Sequence, residues 1–479
     1  MSNTFWAVIL VTLLVAMTIY AAIYHRRTFL ISATHNIVWA GAIMLVGSDL
    51  IHYKTSSMMA WLTLTAGLVA FNVGTWAIQW FEHTRRTPRL ESTPTPTPTG
   101  IALVSRTGLI VLFALYGIGF GIYVANVSSR FGFMTLLTNP TSIRGFVGES
   151  YLASVPLAAR ILLYLGPVIF GLLGIKGAST QPIRLPWRIL MMALLAVTML
   201  AMLQRTNIIM AILLLLAALL SQRSRSRTAG APAAPGSSDV GRFAKFRASR
   251  WGTPLVILAF VVTAGVSFQV VGGALGKTGQ QALSTGAVTQ QLADSKLTSP
   301  FVYYTGGTVA FLQLTDSKNH NWPPTHKDGV DTFGAFNPQT WGATTFAPVL
   351  KAIPGARPFP SIEPFIDVGI STNVFTWLDS FYRDFRLPGV IIAMLFSGLL
   401  IGGLYAKRFR SPRFFWLQAV LLSSVFLAPF VGKLNDTLFL TEIALVIALS
   451  LSWPRTLVRQ SMAALTRARD NEKSISESR

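Results

Sequence analysis

The sequence predicts an all-α polytopic membrane protein with about 11 transmembrane helices. Of its 479 residues, 52% are hydrophobic and only 12% are charged, about half the charged share of a soluble protein. Apolar runs of about 17–25 residues recur along the chain, and each is long enough to cross a bilayer core of about 30 Å. These observations favour one membrane-embedded bundle over a string of soluble domains.

The orientation of the spans follows from the positions of the basic residues. Arg26 and Arg27 come after the first apolar run, so the N-terminus is expected outside and the C-terminus inside. With this alternation the short basic loops fall on the cytoplasmic side, as the positive-inside rule requires. The net charge of +22 is then a topology signal that also favours anionic membrane lipid. No nucleic-acid partner is expected, because no basic folded domain is predicted.

The predicted spans divide the chain into a long bundle, one large loop and a short C-terminal part. The spans cover about 5–24, 29–47, 58–81, 107–127, 155–175, 188–203, 207–221, 253–272, 388–405, 414–431 and 437–453. The first region, 1–272, is a transmembrane bundle of spans one to eight with cytoplasmic linkers at 82–106 and 222–252. An external loop over 273–387 separates spans eight and nine. The last three spans cover 388–453, and a cytoplasmic tail follows over 454–479.

The external loop is rich in aromatic residues, with acids and bases in balance. A structureless tether would lack such aromatic content, and loops of this length are usually functional. Aromatic rings together with Asn, Gln and Asp side chains suit a carbohydrate, whose rings present apolar faces and hydroxyl rims. The alternative is a lid that only covers the outer end of the bundle.

Arg205 is the first candidate for chemistry. It lies between two short apolar segments that are too long together for one span, so we expect a hairpin with Arg205 near the outer surface. Thr206 or Asn207 can cap the following helix. A guanidinium beside the start of a helix forms a site for an anion, best for a phosphate. The alternative is an arginine whose charge only reaches the lipid headgroups.

The second candidate is the segment 373–389, at the outer entrance to the ninth span, where Pro388 suits the first turn of the helix. Arg383 could bind a phosphate, and Asp379 or Asp384 could accept a proton from a sugar hydroxyl. The alternative is an internal ion pair, Arg383 with Asp384 or Asp379 with Arg383, that only anchors the end of the helix. Residue type leaves the two interpretations equal.

Weaker candidates lie elsewhere on the outer side. Arg144 and Arg160 could extend a basic cleft, and Glu442 is an acid one to two turns inside the last span, where an ionisable group is a functional hypothesis by default. His320 and His326 have no His or Asp neighbours at a convincing metal-ligand spacing. We therefore expect no metal and no other cofactor.

The chain resembles the Wzy-type oligosaccharide repeat-unit (O-antigen) polymerases. The likeness rests on Asn373-Val374-Phe375-Thr376, Phe381-Tyr382-Arg383-Asp384-Phe385 and Gly389, on the hairpin at Arg205-Thr206, on Tyr303-Tyr304-Thr305-Gly306-Gly307, and on the large outer loop before the last three spans. The family has a small residue after Asp-Phe where this chain has Arg386. That departure bears on whether the tight turn is kept.

The resemblance implies a GT-C-type glycosyltransferase of the plasma (inner) membrane whose active site faces outward. It would join oligosaccharide repeat units carried on undecaprenyl diphosphate, without nucleotide sugar or metal. Arg205 and Arg383 would stabilise the departing diphosphate. Asp384 or Asp379, with Glu363 as the third choice, would orient or deprotonate the acceptor hydroxyl. Further substrate contacts would be Arg144, Arg160, Tyr303, Tyr304, Glu363, Asn373 and Tyr382.

The expected partners are therefore the lipid-linked donor and acceptor and membrane lipid, with room for a chain-length regulator and a flippase. Two alternatives stay open. An O-antigen-ligase-like enzyme would use the same donor with a different acceptor. A transporter or flippase of lipid-linked glycan is the alternative from another class, although it predicts inverted repeats and broken spans at matching positions, which the sequence lacks.

Overall fold

The computed structural model describes residues 2–26, 28–84, 101–138, 155–202, 205–228, 288–294, 298–316, 342, 344–350, 353, 366–372, 374–432 and 436–451. The helices in this part are α1 Asn3–Tyr24, α2 Phe29–Gly47, α3 Met58–Thr84, α4 Arg106–Phe131, α5 Phe133–Thr138, α6 Leu157–Leu163, α7 Gly166–Gly174, α8 Leu185–Ala201, α9 Arg205–Thr228, α10 Gln290–Asp294, α11 Thr298–Thr315, α12 Ala347–Leu350, α13 Asp379–Lys407, α14 Pro412–Leu427 and α15 Thr437–Leu451. Strands β1 Ile366–Asp367 and β2 Ser371–Thr372 form one short antiparallel hairpin.

The helices confirm the predicted class of a multi-pass α-helical membrane protein. Six candidate spans in the described part are long and apolar enough to cross a bilayer: α1, α2, α3, α4, α13 and the pair α6–α7 taken together. Three shorter apolar helices, α8, α14 and α15, and the apolar part of α9, Asn207–Gln222, coincide with other predicted spans. The predicted span 253–272 lies outside the described residues. The number of eleven spans and their orientation therefore stay predictions.

Helices α3 and α13 pack closely against each other, and glycines make the approach possible. A Cβ atom on Gly74 would lie 2.1 Å from the main-chain oxygen of Leu395, and one on Gly398 would lie 2.1 Å from that of Phe71. Small residues let the backbones of membrane helices approach in this way. The pair fixes where the N-terminal end of α13 lies relative to the first three helices.

Helix α11 is the main surprise of the fold. It lies within the segment predicted as an external loop, yet it packs against α2, α3 and α13. Four consecutive residues on it, Val309–Leu312, are fully buried, and the hydroxyl of Tyr304 donates to the carbonyl of Val38, in the middle of α2, at 2.6 Å. The 273–387 segment therefore contributes to the bundle core, which the sequence reading did not anticipate.

The loop between α2 and α3 is clamped between α11 and the hairpin. Gln313 donates through Nε2 to Ser56 Oγ at 3.0 Å, and the buried hydroxyl groups of Tyr53 and Thr305 form a short hydrogen bond. On the other side, Lys54 Nζ donates to Asp367 Oδ2 at 2.8 Å. This hydrogen bond lowers the pKa of the Asp367 carboxyl. The clamp joins the N-terminal helices to the segment that leads into α13.

Candidate functional site at the N-terminal end of helix α13

The segment 374–378 leads into α13 and is itself held in place by neighbouring parts of the bundle. The main-chain N–H of Trp377 donates to the carbonyl of Ala428, just beyond α14, at 2.8 Å. The Thr376 hydroxyl accepts from the N–H of Leu378 at 3.2 Å, which forms a local turn before the helix. Gly307 on α11 lies so close that an added Cβ would come within 2.7 Å of the backbone at Phe430. Three elements thus fix where α13 begins.

Asp379 and Arg383 form a buried ion pair on the first turn of α13. The guanidinium Nε of Arg383 donates to Asp379 Oδ1 at 3.1 Å and to Oδ2 at 3.0 Å, and the two side chains are only 6% and 3% exposed. Their separation of four residues places them on the same helix face. The carbon Cζ of Arg383 lies 5.1 Å from the centre of the Phe375 ring. The structure therefore contains the Asp379–Arg383 pair that the sequence offered as one alternative.

Asp384 is engaged in a different way. Its Oδ1 accepts from the main-chain N–H of Thr344 at 3.2 Å, and its Oδ2 accepts from that of Thr345 at 2.7 Å. The Thr344 hydroxyl in turn donates to the carbonyl of Ser380 at 3.0 Å. Asp384 is fully buried. It fastens the turn before α12 to α13, which is the geometry of a positioning residue rather than of a base that faces a substrate.

Helix α13 breaks at Arg386, where the family that the chain resembles has a small residue. Arg386 has φ 57° and ψ −152°, a region that favours glycine and costs another residue of the order of 1–3 kcal/mol. Its guanidinium lies 5.3 Å from the ring centre of Tyr382, a contact worth only about 0.5–1 kcal/mol at an exposed site. Pro388 then lies in the first turn after the break. The helix is interrupted here despite the cost to an arginine, and the ring contact does not offset that cost.

The remaining predicted substrate contacts divide into two groups. Tyr382 lies in the site, where its ring meets that of Phe311 edge-on at 5.9 Å. Tyr304 is instead tied to the middle of α2 through its hydroxyl, and Tyr303 is half-buried beside it on α11. Only Tyr382 among these three is brought to the start of α13.

Arg160 lies on α6 rather than on the elements that build the site. Tyr164, one helical turn after Arg160, interacts electrostatically with both Arg160 and Asp436. Asp436 caps α15, since its Oδ1 accepts from the N–H of Leu438 at 2.9 Å. Glu442 is fully buried on that same helix. Asp436 and Glu442 thus belong to α15, and Arg160 belongs to α6.

Arg205 is the first residue of α9, as the predicted hairpin requires, and its side chain is not among the described ones. Helix α9 packs against α14, whose far end supplies the carbonyl that holds Trp377. Helix α9 and the segment that leads into α13 are therefore both in contact with α14 or the residues just beyond it. The predicted contacts Arg144, Glu363 and Asn373 lie outside the described residues.

A buried polar network between α1, α2 and α3 was missed by the sequence reasoning. Asn36 Oδ1 accepts from Asn72 Nδ2 at 2.8 Å and lies 3.1 Å from His35 Nδ1, and Asn36 Nδ2 donates to Thr18 Oγ1 at 3.1 Å. The His35 ring stacks on Phe71 at 4.1 Å. The His-Asn pair inside an otherwise apolar predicted span was the available signal, because polar residues at that depth usually serve a purpose.

The fold and the site define the class of the protein: a multi-pass α-helical membrane protein with a buried charged cluster at one end of its bundle. No protein-family model, characterised protein or solved structure matches the chain. Within the described ranges, no three His, Asp or Glu side chains come together as a metal site would require. The function therefore has to be argued from the site itself.

Proposed function

We propose that the chain is a polymerase that joins lipid-diphosphate-linked oligosaccharide repeat units into a polysaccharide at the outer face of the plasma membrane. The observation that carries the proposal is the buried Asp379–Arg383 pair at the start of α13, with the Phe375 ring against the guanidinium. A buried charge pair in a membrane bundle costs desolvation. It is therefore more consistent with a functional site than with a means of stabilising the fold. The resemblance in the surrounding motif supplies the reaction class.

The reaction transfers a glycan from one lipid diphosphate to the terminal sugar of another. The bond between the sugar C1 and the diphosphate oxygen breaks, a new bond forms between C1 and an acceptor hydroxyl oxygen, and the hydroxyl proton leaves. The lipid diphosphate departs with its negative charge. Arg383, oriented by Asp379, and Arg205 at the start of α9 are the cations that we assign to that charge.

The acceptor hydroxyl needs a carboxylate to orient it or take its proton. Of the two acids that the sequence proposed on α13, we assign this role to Asp379. The oxygens of Asp379 accept from Arg383, a cation that we place in the reaction. Both oxygens of Asp384 instead accept from the main chain of a distant turn, so we assign Asp384 to positioning. Tyr382 would contact the sugars, because the apolar face of a sugar ring packs on an aromatic ring.

The test is a reconstitution. The purified full-length protein in lipid nanodiscs receives an oligosaccharide on undecaprenyl diphosphate, and the products are separated by size. We expect longer glycans together with free lipid diphosphate. Arg383→Ala and Arg205→Ala should each lower the rate on the order of 10²–10³-fold if each residue acts as a donor to the departing oxyanion. Arg413→Ala, at the other end of the bundle, is the control.

Other products would point to other functions. Transfer of one finished glycan to a different acceptor, without lengthening, would identify a ligase-like enzyme. Movement of the lipid between leaflets of a vesicle, with no new glycosidic bond, would identify a transporter. Wild-type rates from both arginine variants would remove the assigned mechanism.

A further inference from the structure

Arg386 combines an unfavourable backbone with a charge for which the described part of the chain supplies no carboxylate partner. Its φ of 57° lies in the region that favours glycine, where another residue persists only if the surrounding structure holds it there. Among the described residues, no acid lies within ion-pair distance of its guanidinium, which contacts the ring of Tyr382. The ring contact alone does not account for an arginine at this position.

The acids nearest in sequence are already committed to other groups. Asp379 accepts from Arg383, and Asp384 accepts from two main-chain N–H groups. A guanidinium that stacks on a ring still presents its N–H groups around its edge, in the planar fork that suits a phosphate. The arrangement at Arg386 therefore offers bidentate donors with a positive charge, and no described carboxylate occupies them.

Arg386 lies at the boundary between the buried start of α13 and its lipid-facing part. Before the break, the helix carries the buried Asp379, Arg383 and Asp384. After the break, Ile392 is 66% exposed and Phe396 is 63% exposed, as expected of side chains that face lipid tails. A prenyl chain packed along this apolar surface would bring its head group to the level of the Arg386 guanidinium.

We propose that Arg386 binds a phosphate group of a prenyl diphosphate and thereby helps this chain to select a diphosphate-linked lipid. The inference rests on the proposed function for the nature of the lipid, and it adds a ligand that the resemblance does not supply, since the family has a small residue at this position. Phospholipid headgroups carry the same phosphate chemistry. The experiment therefore has to separate a discrete diphosphate site from an arginine that only reaches the headgroup layer.

The probe is farnesyl diphosphate, a short prenyl diphosphate, with farnesol as its uncharged counterpart. The full-length protein is placed in nanodiscs of neutral phosphatidylcholine, and binding is followed by the ligand-induced rise in unfolding temperature. The variants are Arg386→Gly, Arg386→Lys and the control Arg413→Gln. Arg413 also lies over a neighbouring ring, that of Phe414 at 4.9 Å, but outside the positive-φ region.

We expect Arg386→Gly to bind farnesyl diphosphate about ten- to a hundredfold more weakly, as loss of charge-assisted hydrogen bonds implies. The same variant should unfold at a higher temperature without ligand, because glycine adopts this conformation at little cost. A gain in stability with a loss of binding excludes misfolding as the cause. Arg386→Lys should fall between the two, because it keeps the charge and loses the fork. Arg413→Gln should match the wild type.

Three results would overturn the inference. The first is unchanged binding of farnesyl diphosphate by Arg386→Gly, and the second is equal binding of farnesol by the wild type. The third is an equal, Arg386-dependent rise in unfolding temperature when the wild type is placed in nanodiscs of anionic phosphatidylglycerol without farnesyl diphosphate. The polymer assay separates this inference from the proposed function. If Arg386→Gly forms polymer at the wild-type rate and with the wild-type dependence on substrate concentration, the inference about Arg386 is wrong and the proposed function stands. If farnesyl diphosphate binding depends on Arg386 but the wild-type protein makes no polymer, the inference stands and the proposed function is wrong.

Discussion

Replacing Asp379 with leucine should leave the guanidinium of Arg383 buried without its carboxylate. The two side chains are 3% and 6% exposed, so water cannot take the place of the missing partner. Breaking a buried pair from one side costs about 3–5 kcal/mol. The Phe375 ring, 5.1 Å away, is in contact with the guanidinium in the wild type as well, so it does not offset this cost. We therefore expect a net loss of about 3–5 kcal/mol.

The double variant Asp379→Leu/Arg383→Met supplies the matched comparison. It removes both charges and roughly keeps the volume, a change that is often neutral for a buried ion pair. Unfolding of the purified variants in detergent, followed by tryptophan fluorescence against denaturant concentration, measures the free energies. We expect the double variant to be more stable than either single variant, while it makes no polymer.

The reasoning would be refuted by two outcomes. One is an Asp379→Leu protein within about 0.5 kcal/mol of the wild type, the ordinary range of a surface change. The other is a double variant whose loss equals the sum of the single losses, because additivity would mean that the two residues do not interact. Recovery of polymer formation in the double variant would instead assign the pair a purely structural role.

Three further changes test the packing, the polar network and the clamp. Gly74→Ala should destabilise the protein by about 1–3 kcal/mol, because its Cβ would overlap a main-chain oxygen of α13. The control Gly117→Ala should be neutral or stabilising, because nothing lies within 4 Å of an added Cβ there. Equal unfolding temperatures of the two variants would contradict the expected close packing at Gly74. Asn36→Ala should destabilise the protein by about 1–3 kcal/mol in the same unfolding assay, since it leaves buried donors without their acceptor. The lowered pKa of Asp367 means that its contribution is present above the ordinary value of 3.8 and is lost as the pH falls through the lowered pKa. The effect should be small at this exposed site, and Lys54→Met should remove it from the stability–pH curve.

The apolar helices could be predicted from the sequence because a span must satisfy its backbone hydrogen bonds within one long apolar segment. That rule located α1, α2, α3, α4 and α13. Helix α11 escaped it because its sequence, with Tyr303, Thr305 and Thr308 among small residues, is too polar for a lipid-facing span. The helix is stable inside the bundle because neighbouring chain segments accept from its hydroxyl groups, as the carbonyl of Pro429 does from Thr308 at 3.3 Å.

The charged residues of the site were predicted, but their partners were not. The four-residue spacing of Asp379 and Arg383 permitted an ion pair, and the structure contains it. Nothing local indicated that Asp384 would bind the main chain of Thr344 and Thr345, because those residues are some forty positions away. The role of an acid is set by what folds onto it, and for Asp384 that is a distant turn.

The close pairing of α3 with α13 has a consequence for biosynthesis. The Thr75 hydroxyl lies 3.5 Å from the carbonyl of Gly398, 323 positions later in the chain. At about 5–20 residues per second, a ribosome needs roughly 15–65 s to cover that distance. During this interval the glycine-lined side of α3 is open to lipid or to assembly factors in the membrane. A prematurely terminated product would keep that side open permanently, and membrane quality control would have a surface by which to detect it.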